Sequence, residues 1–207
     1  SDLLFSERDK LSPDDISQLE NFHVEALGES VLSMAGRGYI RKFYEYIIKS
    51  SEEVLFIKKD GDDITGAAIV SKNPKDLSRR LFFNTPFIFF FIKHQKLSCI
   101  FFGLKWFKDF LGCLFSKPSN EDNLYALELP ELYAIFIRPE ERSKGVGKNL
   151  LMDVENFLQT SRATSYQVKT VEHKDNRAIK FYTENGFFKR GRRAVYGRSF
   201  MIFEKKL

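Results

Sequence analysis

Leu132-Tyr133-Ala134-Ile135-Phe136-Ile137, then Arg138-Pro139-Glu140-Glu141, then Arg142-Ser143-Lys144-Gly145-Val146-Gly147-Lys148 is the stretch that decides how this chain folds. The first string has the length and the aliphatic and aromatic make-up of a buried strand, and Pro139 ends it. Beyond the glycines, Leu150, Leu151, Val154 and Phe157 recur at helical spacing, which predicts a helix from Gly145. A strand that runs through glycines into an amphipathic helix leaves unpaired main-chain N–H groups at the helix start, and the glycines let a ligand approach the backbone closely. Such a turn is an anion cradle. It has no GxxxxGK[ST] frame and no GxGxxG followed by an acid about twenty residues on, so neither a nucleoside-triphosphate loop nor a dinucleotide fingerprint is present.

Thr164 to Glu172 predicts a strand, Asn176 to Asn185 a helix closed by Gly186, and Phe187-Phe188 with Ser199 to Phe203 a final hairpin. Upstream, residues 3–9 predict a short strand. Ser12-Pro13-Asp14-Asp15 supplies an N-cap serine, a proline at the first helical position and acids in the first turn. Ile16, Leu19, Phe22, His23 and Ala26 mark the helix that follows, and Ile40, Phe43, Tyr44 and Ile47 mark a second from Gly38 to Ser50. Val54 to Ile57 and Ile64 to Val70 predict strands joined across Asp60-Gly61. Strands alternating with helices in the last third predict an α/β class with at least part of its sheet parallel.

The chain has 207 residues, 43% hydrophobic and 15% aromatic, so it can bury one sizeable core and does not sit in the disordered regime. Cys99 and Cys113 form no CxxC, which excludes a disulfide scaffold and a cysteine-ligated zinc site. Ser1 to Asp9 reaches charges at once, without the basic and apolar regions of a signal peptide, and a reducing cytoplasm is the expected location. The net charge of +5 is localised. Between Lys72 and Lys117 nine Lys or Arg stand against Asp76 and Asp109, a local +7, so the rest of the chain sums to −2. Half of the 22 Phe residues fall between Phe82 and Phe115, and residues 72–123 are therefore expected to be a basic, Phe-rich helical insertion. Its longest uncharged run, Leu81 to Ile92, is short of the roughly 20 residues that a membrane-spanning helix requires. Leu97, Ile100, Phe101, Leu104, Phe107, Leu111 and Leu114 predict an amphipathic helix within it.

Two strings together carry a resemblance. Arg142-x-x-Gly145-x-Gly147 resembles the [QR]-x-x-G-x-[GA] pyrophosphate loop of the GNAT superfamily of N-acetyltransferases. Asn176-Arg177-Ala178-Ile179-Lys180-Phe181-Tyr182-Thr183-Glu184-Asn185-Gly186-Phe187 resembles its N-x-x-A…[FL]-Y-x-x-x-G-F element, in the expected order and on the expected frame. The resemblance covers residues 131–190 closely and 3–71 in layout. It implies a GNAT-like mixed, mostly antiparallel sheet flanked by helices, forming a single domain over 1–207 with the insertion at 72–123.

It also implies acetyl-CoA as acyl donor and an amine as acceptor. The N–H groups of Arg142, Ser143, Lys144, Gly145, Val146, Gly147 and Lys148 would take the pyrophosphate. The main chain of Ile135, Phe136 and Ile137 would pair with pantetheine and polarise the thioester carbonyl, and Asn176 and Phe181 would contact the arm or adenosine side. An amine with a pKa of about 10.4 is mostly protonated at neutral pH, so its proton needs a route. Glu131 is the candidate base, with Glu128 in reserve and a water chain as the alternative, and Tyr182 matches the tyrosine that protonates the leaving thiolate. His23, His94 and His173 form no HxxxH or HExxH frame, and no metal is expected. Arg190, Arg192, Arg193 and Arg198 form a basic cluster that would be a solvated face or lie near the 3′-phosphate of the donor.

The acceptor stays open among an amino sugar, a small amine and a protein amine. A second class of function is a catalytically silent acyl-CoA-binding module that docks a membrane or partner through its insertion. Partner expectations are a homodimer or a peripheral contact with an anionic membrane through residues 72–117. Nucleic acid is disfavoured, because the basic residues interleave with Phe in an apolar helix pattern.

Overall fold

Ser12 starts the first helix, α1 (Pro13–Ala26), with a reciprocal capping pair. The Asp15 N–H donates to the Ser12 hydroxyl (3.1 Å) and the Ser12 N–H donates to the Asp15 carboxylate (3.0 Å). Burial alone would raise the Asp15 carboxyl, but the Lys59 ammonium at 2.6 Å and the Ser12 donors outweigh it and hold the group below its ordinary range. The computed structural model describes residues 11–27, 33, 36–84, 129–173, 176–195 and 198–207. The strand expected at 3–9, the amphipathic helix expected at 97–114 and Glu128 lie outside the described residues.

The contacts group the chain into two compact units. The first, residues 1–72 and 132–164, contains α1, α2 (Arg37–Lys49), the hairpin β1 (Glu53–Asp60) and β2 (Asp63–Ser71), most of β3 (Glu131–Ile137), and α4 (Val146–Thr160). β1 and β2 pair antiparallel across the turn at Gly61, and β2 is the neighbour of β3. The alternation of side chains sends Phe136 of β3 against Phe22 of α1, with ring centroids 4.8 Å apart and planes at 88°. α4 lies on the β1–β2 hairpin, where Phe157 meets Phe56 and Asp153 accepts an ion pair from Lys58 at 2.8 Å. At the other end of the hairpin Glu53 is fully buried, and its carboxylate accepts from the hydroxyls of Tyr46 (2.8 Å), Ser71 (3.1 Å) and Ser50. That network joins the end of α2 to the start of β1 and the end of β2, and it satisfies a carboxylate that would otherwise be costly to bury.

The second unit, residues 73–131 and 165–207, contains a short 3₁₀ turn (Pro74–Asp76), α3 (Leu77–Asn84), the first residue of β3, β4 (Ser165–Val171), α5 (Arg177–Glu184), β5 (Phe188–Val195) and β6 (Arg198–Lys206). Its strands lie in the order β4-β6-β5, and both of those pairings are antiparallel. The core is aromatic: Tyr166 and Tyr182 both pack edge-on against Phe187, at 5.1 and 5.2 Å. Of the basic cluster in the last hairpin, Arg190 pairs with Glu204 and Arg192 with Glu172, each at 2.6 Å.

Candidate active site

The glycine-containing turn expected after β3 lies in the first unit. Arg138 closes the strand, its N–H donating to the Thr65 carbonyl of β2 (3.0 Å). The chain then makes the 3₁₀ turn Pro139–Glu141, fixed by Glu141 N–H to Arg138 C=O (2.9 Å). Ser143 (φ 64°) and Gly145 (φ 87°) both take left-handed backbone, and Gly145 is the N-cap of α4. At φ 87° an L side chain is strained, and the space that a Cβ would enter at Gly145 holds no atom within 4 Å. No side chain caps this helix, and its first main-chain bond runs from Asn149 N–H to Gly145 C=O (3.0 Å). The N–H groups of Val146, Gly147 and Lys148 therefore have no intrahelical acceptor, and no acid stands in the first turn to compete for them. Arg142, Lys144 and Lys148 are exposed around the turn, and Lys144 pairs with Glu141 at 2.9 Å. An exposed, uncapped helix start ringed by cations is suited to an anion.

Upstream in β3, Phe136 is buried and Ile135 and Ile137 are half-buried. Phe136 also meets His23 of α1, which is 2% exposed, contacts the rings of Phe43 and Tyr44, and has Nδ1 3.1 Å from the Tyr44 hydroxyl. Burial pushes the imidazole down to about 4 and the Tyr44 phenol upward, the latter with help from Tyr133.

The remaining candidate residues belong to the second unit. Asn176 is the N-cap of α5: its Oδ1 accepts from Ala178 N–H (3.0 Å), while Nδ2 donates to the Thr170 hydroxyl (2.8 Å) and the Val171 carbonyl (2.6 Å). Both amide protons thus bind the end of β4. Tyr182 is 4% exposed among Phe181, Phe187 and Phe203, and burial pushes its phenol upward. Phe181 is half-buried beside it. Glu131 is 1% exposed and its Oε1 lies 2.9 Å from the Lys169 ammonium of β4. The adjoining chain is held to the same strand by Gln167 N–H donating to the Pro130 carbonyl (2.9 Å).

Sequence reasoning passes over Lys169, Thr65 and Gly66. For Gly66 a signal exists, since an isolated glycine in the run Ile64 to Val70 marks a bulge or a close approach. For Lys169 there is none, because nothing local distinguishes it from a solvated strand lysine. Among the described residues no three His, Cys, Asp or Glu side chains gather as a metal-ligand set.

The model of the acetyltransferase (GNAT) family matches residues 75–187, a span that opens inside the segment set apart as an insertion. No curated protein matches the sequence. Among solved structures, one assigned to the GNAT acetyltransferases from Desulfovibrio desulfuricans has 13% identity and a TM-score of 0.59, with 94% of each chain covered. PH1933 from Pyrococcus horikoshii has 17% identity and a TM-score of 0.57, covering 95% of this chain and 93% of that one. The PaiA N-acetyltransferase from Thermoplasma acidophilum, solved in complex with coenzyme A, has 14% identity and a TM-score of 0.52, with 96% of each chain covered. At these identities the likeness is one of fold. The family model spans more than half of the 207 residues, and the chain belongs to the acetyltransferase (GNAT) family.

Proposed function

We propose that the protein transfers an acetyl group from acetyl-CoA to an amine by direct attack on the thioester. The observation that carries this reading is the start of α4: a left-handed Gly145, open space above it, and N–H groups without intrahelical acceptors. In this reading the backbone from Arg142 to Lys148 takes the pyrophosphate, with Arg142 and Lys148 adding charge. The main chain of Ile135 to Ile137 pairs with the pantetheine amides and donates to the thioester oxygen, where negative charge develops as the amine adds.

The amine nitrogen bonds to the carbonyl carbon, and the tetrahedral intermediate collapses by breaking the carbon–sulfur bond. The nitrogen's proton passes to the Glu131 carboxylate, directly or through water, and the departing sulfur takes a proton from the Tyr182 phenol. The phenol is protonated at neutral pH with or without burial, and burial, by pushing it upward, makes it a weaker acid, so the role rests on the motif position of Tyr182 and not on its titration. Phe181 lies beside Tyr182 and supplies apolar surface for the arm, and Asn176 holds the helix that carries both.

Two measurements test the reading together. Calorimetry with acetyl-CoA should give binding to the wild-type protein and none to Gly145→Glu, which puts a strained, negatively charged side chain where the pyrophosphate sits; equal affinity sinks the assignment. A coenzyme A release assay over amino sugars, small amines and peptide amines, run with acetyl and longer acyl donors, should identify an accepted amine. Tight donor binding with no release from any amine would instead support a binding module.

A further inference from the structure

The turn that carries Arg142 to Gly145 leaves β3 at Arg138 and enters α4 at Val146, and two adjacent residues of β2 meet its two ends. The pairing of β1 with β2 steps from Lys58 opposite Gly66 to Lys59 opposite Ile64, so Thr65 is an extra, bulged residue with no partner of its own in that ladder. Its hydroxyl turns back and donates to the Lys58 carbonyl (3.1 Å), and its own carbonyl accepts the Arg138 N–H (3.0 Å) where the loop departs. Gly66, the next residue, lies under the loop's return. A Cβ placed there would stand 3.0 Å from Val146 Cγ1, 3.0 Å from Leu150 Cδ1 and 2.9 Å from Ile137 Cδ1. Leu150 and Ile137 offer the ends of flexible side chains. Val146 does not: it is β-branched, stiff at χ1, and is the first residue of α4.

We infer that the Thr65-Gly66 bulge is a positioning element for acetyl-CoA binding: Thr65 fixes where the loop leaves the sheet, and the bare backbone of Gly66 sets how low the first turn of α4 sits. This rests on the proposed role of the loop in holding pyrophosphate. A methyl group at residue 66 displaces Ile137 Cδ1 and, where Val146 cannot rotate away, shifts Val146 by a few tenths of an ångström, and Val146 carries with it the N–H groups at the start of α4. The effect would reach the ligand with no change in any group that touches it.

The test uses the full chain, with Gly66→Ala, Val146→Ala and the double variant. Donor affinity is measured by calorimetry with coenzyme A, and loop position by the amide NMR shifts of Gly147 and Lys148 in unliganded protein, with the double variant compared against Val146→Ala alone. Gly66→Ala should weaken coenzyme A binding roughly tenfold and move those amides, and in the double variant both should match Val146→Ala alone, because the smaller side chain accepts the methyl without lifting the helix. Unchanged affinity and amides in a folded Gly66→Ala protein overturn the inference. So does a loss that persists in the double variant relative to Val146→Ala alone. If Gly66→Ala does not fold alone, the comparison moves to the Val146→Ala background, where adding it must leave affinity and amides unaltered. If the wild type binds no coenzyme A, the role assigned to the loop has failed, and the amide shifts still decide whether residue 66 sets its position.

Discussion

The Tyr44 hydroxyl and Nδ1 of His23 lie 3.1 Å apart inside the first unit, joining α1 to α2 where neither side chain reaches solvent. The imidazole titrates near 4 here and near 6.5 in an unfolded chain, so between those values the unfolded state binds the extra proton. Its contribution to stability is complete above pH 6.5 and is lost as the pH falls toward 4. Denaturant unfolding of the wild type should lose about 2 to 3 kcal/mol to this group between pH 7.5 and 4.5. The double variant His23→Phe/Tyr44→Phe should lose correspondingly less. Asp15 does not confuse the comparison. Its lowered carboxyl supports the fold above its ordinary value of 3.8, and that support fails only at lower pH.

Tyr182→Phe removes the phenol and keeps the ring that packs on Phe187 and Phe203. Turnover with an accepted amine should fall by about 10² to 10⁴, with coenzyme A affinity and thermal stability close to wild type. Pre-steady-state measurement must first show that chemistry limits the rate. Wild-type turnover in that regime takes Tyr182 out of the mechanism and leaves it as an aromatic core residue.

Glu131 and Lys169 make separable predictions because one is buried and the other is about one-third exposed. Lys169→Met leaves a carboxylate buried without its ammonium and should cost about 3 kcal/mol of stability. Glu131→Gln should lower turnover roughly a hundredfold while retaining donor affinity, if the carboxylate takes the proton from the amine. Retained turnover in a folded Glu131→Gln protein means that water carries the proton, and Glu131 is then a structural partner of Lys169.

Much of the frame is legible locally because short-range chemistry sets it. Ser12 with Asp15 announces α1, Asp60-Gly61 the first hairpin, and Asn176 and Gly186 the two ends of α5; Gly186 takes φ 84° as its place after the helix requires. Strand lengths are less legible, since apolar patterning stops at charged residues that the fold neutralises. β1 continues past Ile57 because Lys58 and Lys59 reach Asp153 and Asp15. β5 runs to Val195 through Lys189, Arg190, Arg192 and Arg193, where an apolar reading ends at Phe188. Its place at the outer side of β6 and the pairs Arg190–Glu204 and Arg192–Glu172 make that composition compatible with a strand. At the site, Gly145 is marked by the Arg142-x-x-Gly145-x-Gly147 string taken together with the Asn176 to Phe187 string. The bulge at Thr65 is different: it comes from the register of two strands, and no single stretch of sequence contains it.

Asn176 supplies the sharpest separation between a ligand contact and a structural one. Its Oδ1 caps α5 and its Nδ2 bonds the end of β4 at two acceptors, Thr170 and Val171, so the side chain spans a helix start and a strand end. Asn176→Ala removes all three bonds and should destabilise the protein by about 1 to 2 kcal/mol, with the cap supplying much of it. Asn176→Asp keeps an oxygen for the Ala178 N–H and places it favourably at a helix start, yet replaces two donors with acceptors that face the Thr170 hydroxyl and the Val171 carbonyl. The threonine can rotate its proton toward the new carboxylate, but the carbonyl cannot, so Asn176→Asp should recover only part of the lost stability. Coenzyme A affinity should follow stability across the three proteins if Asn176 acts by placing α5. A large loss of affinity in Asn176→Asp with near wild-type melting would show instead that the amide touches the ligand itself.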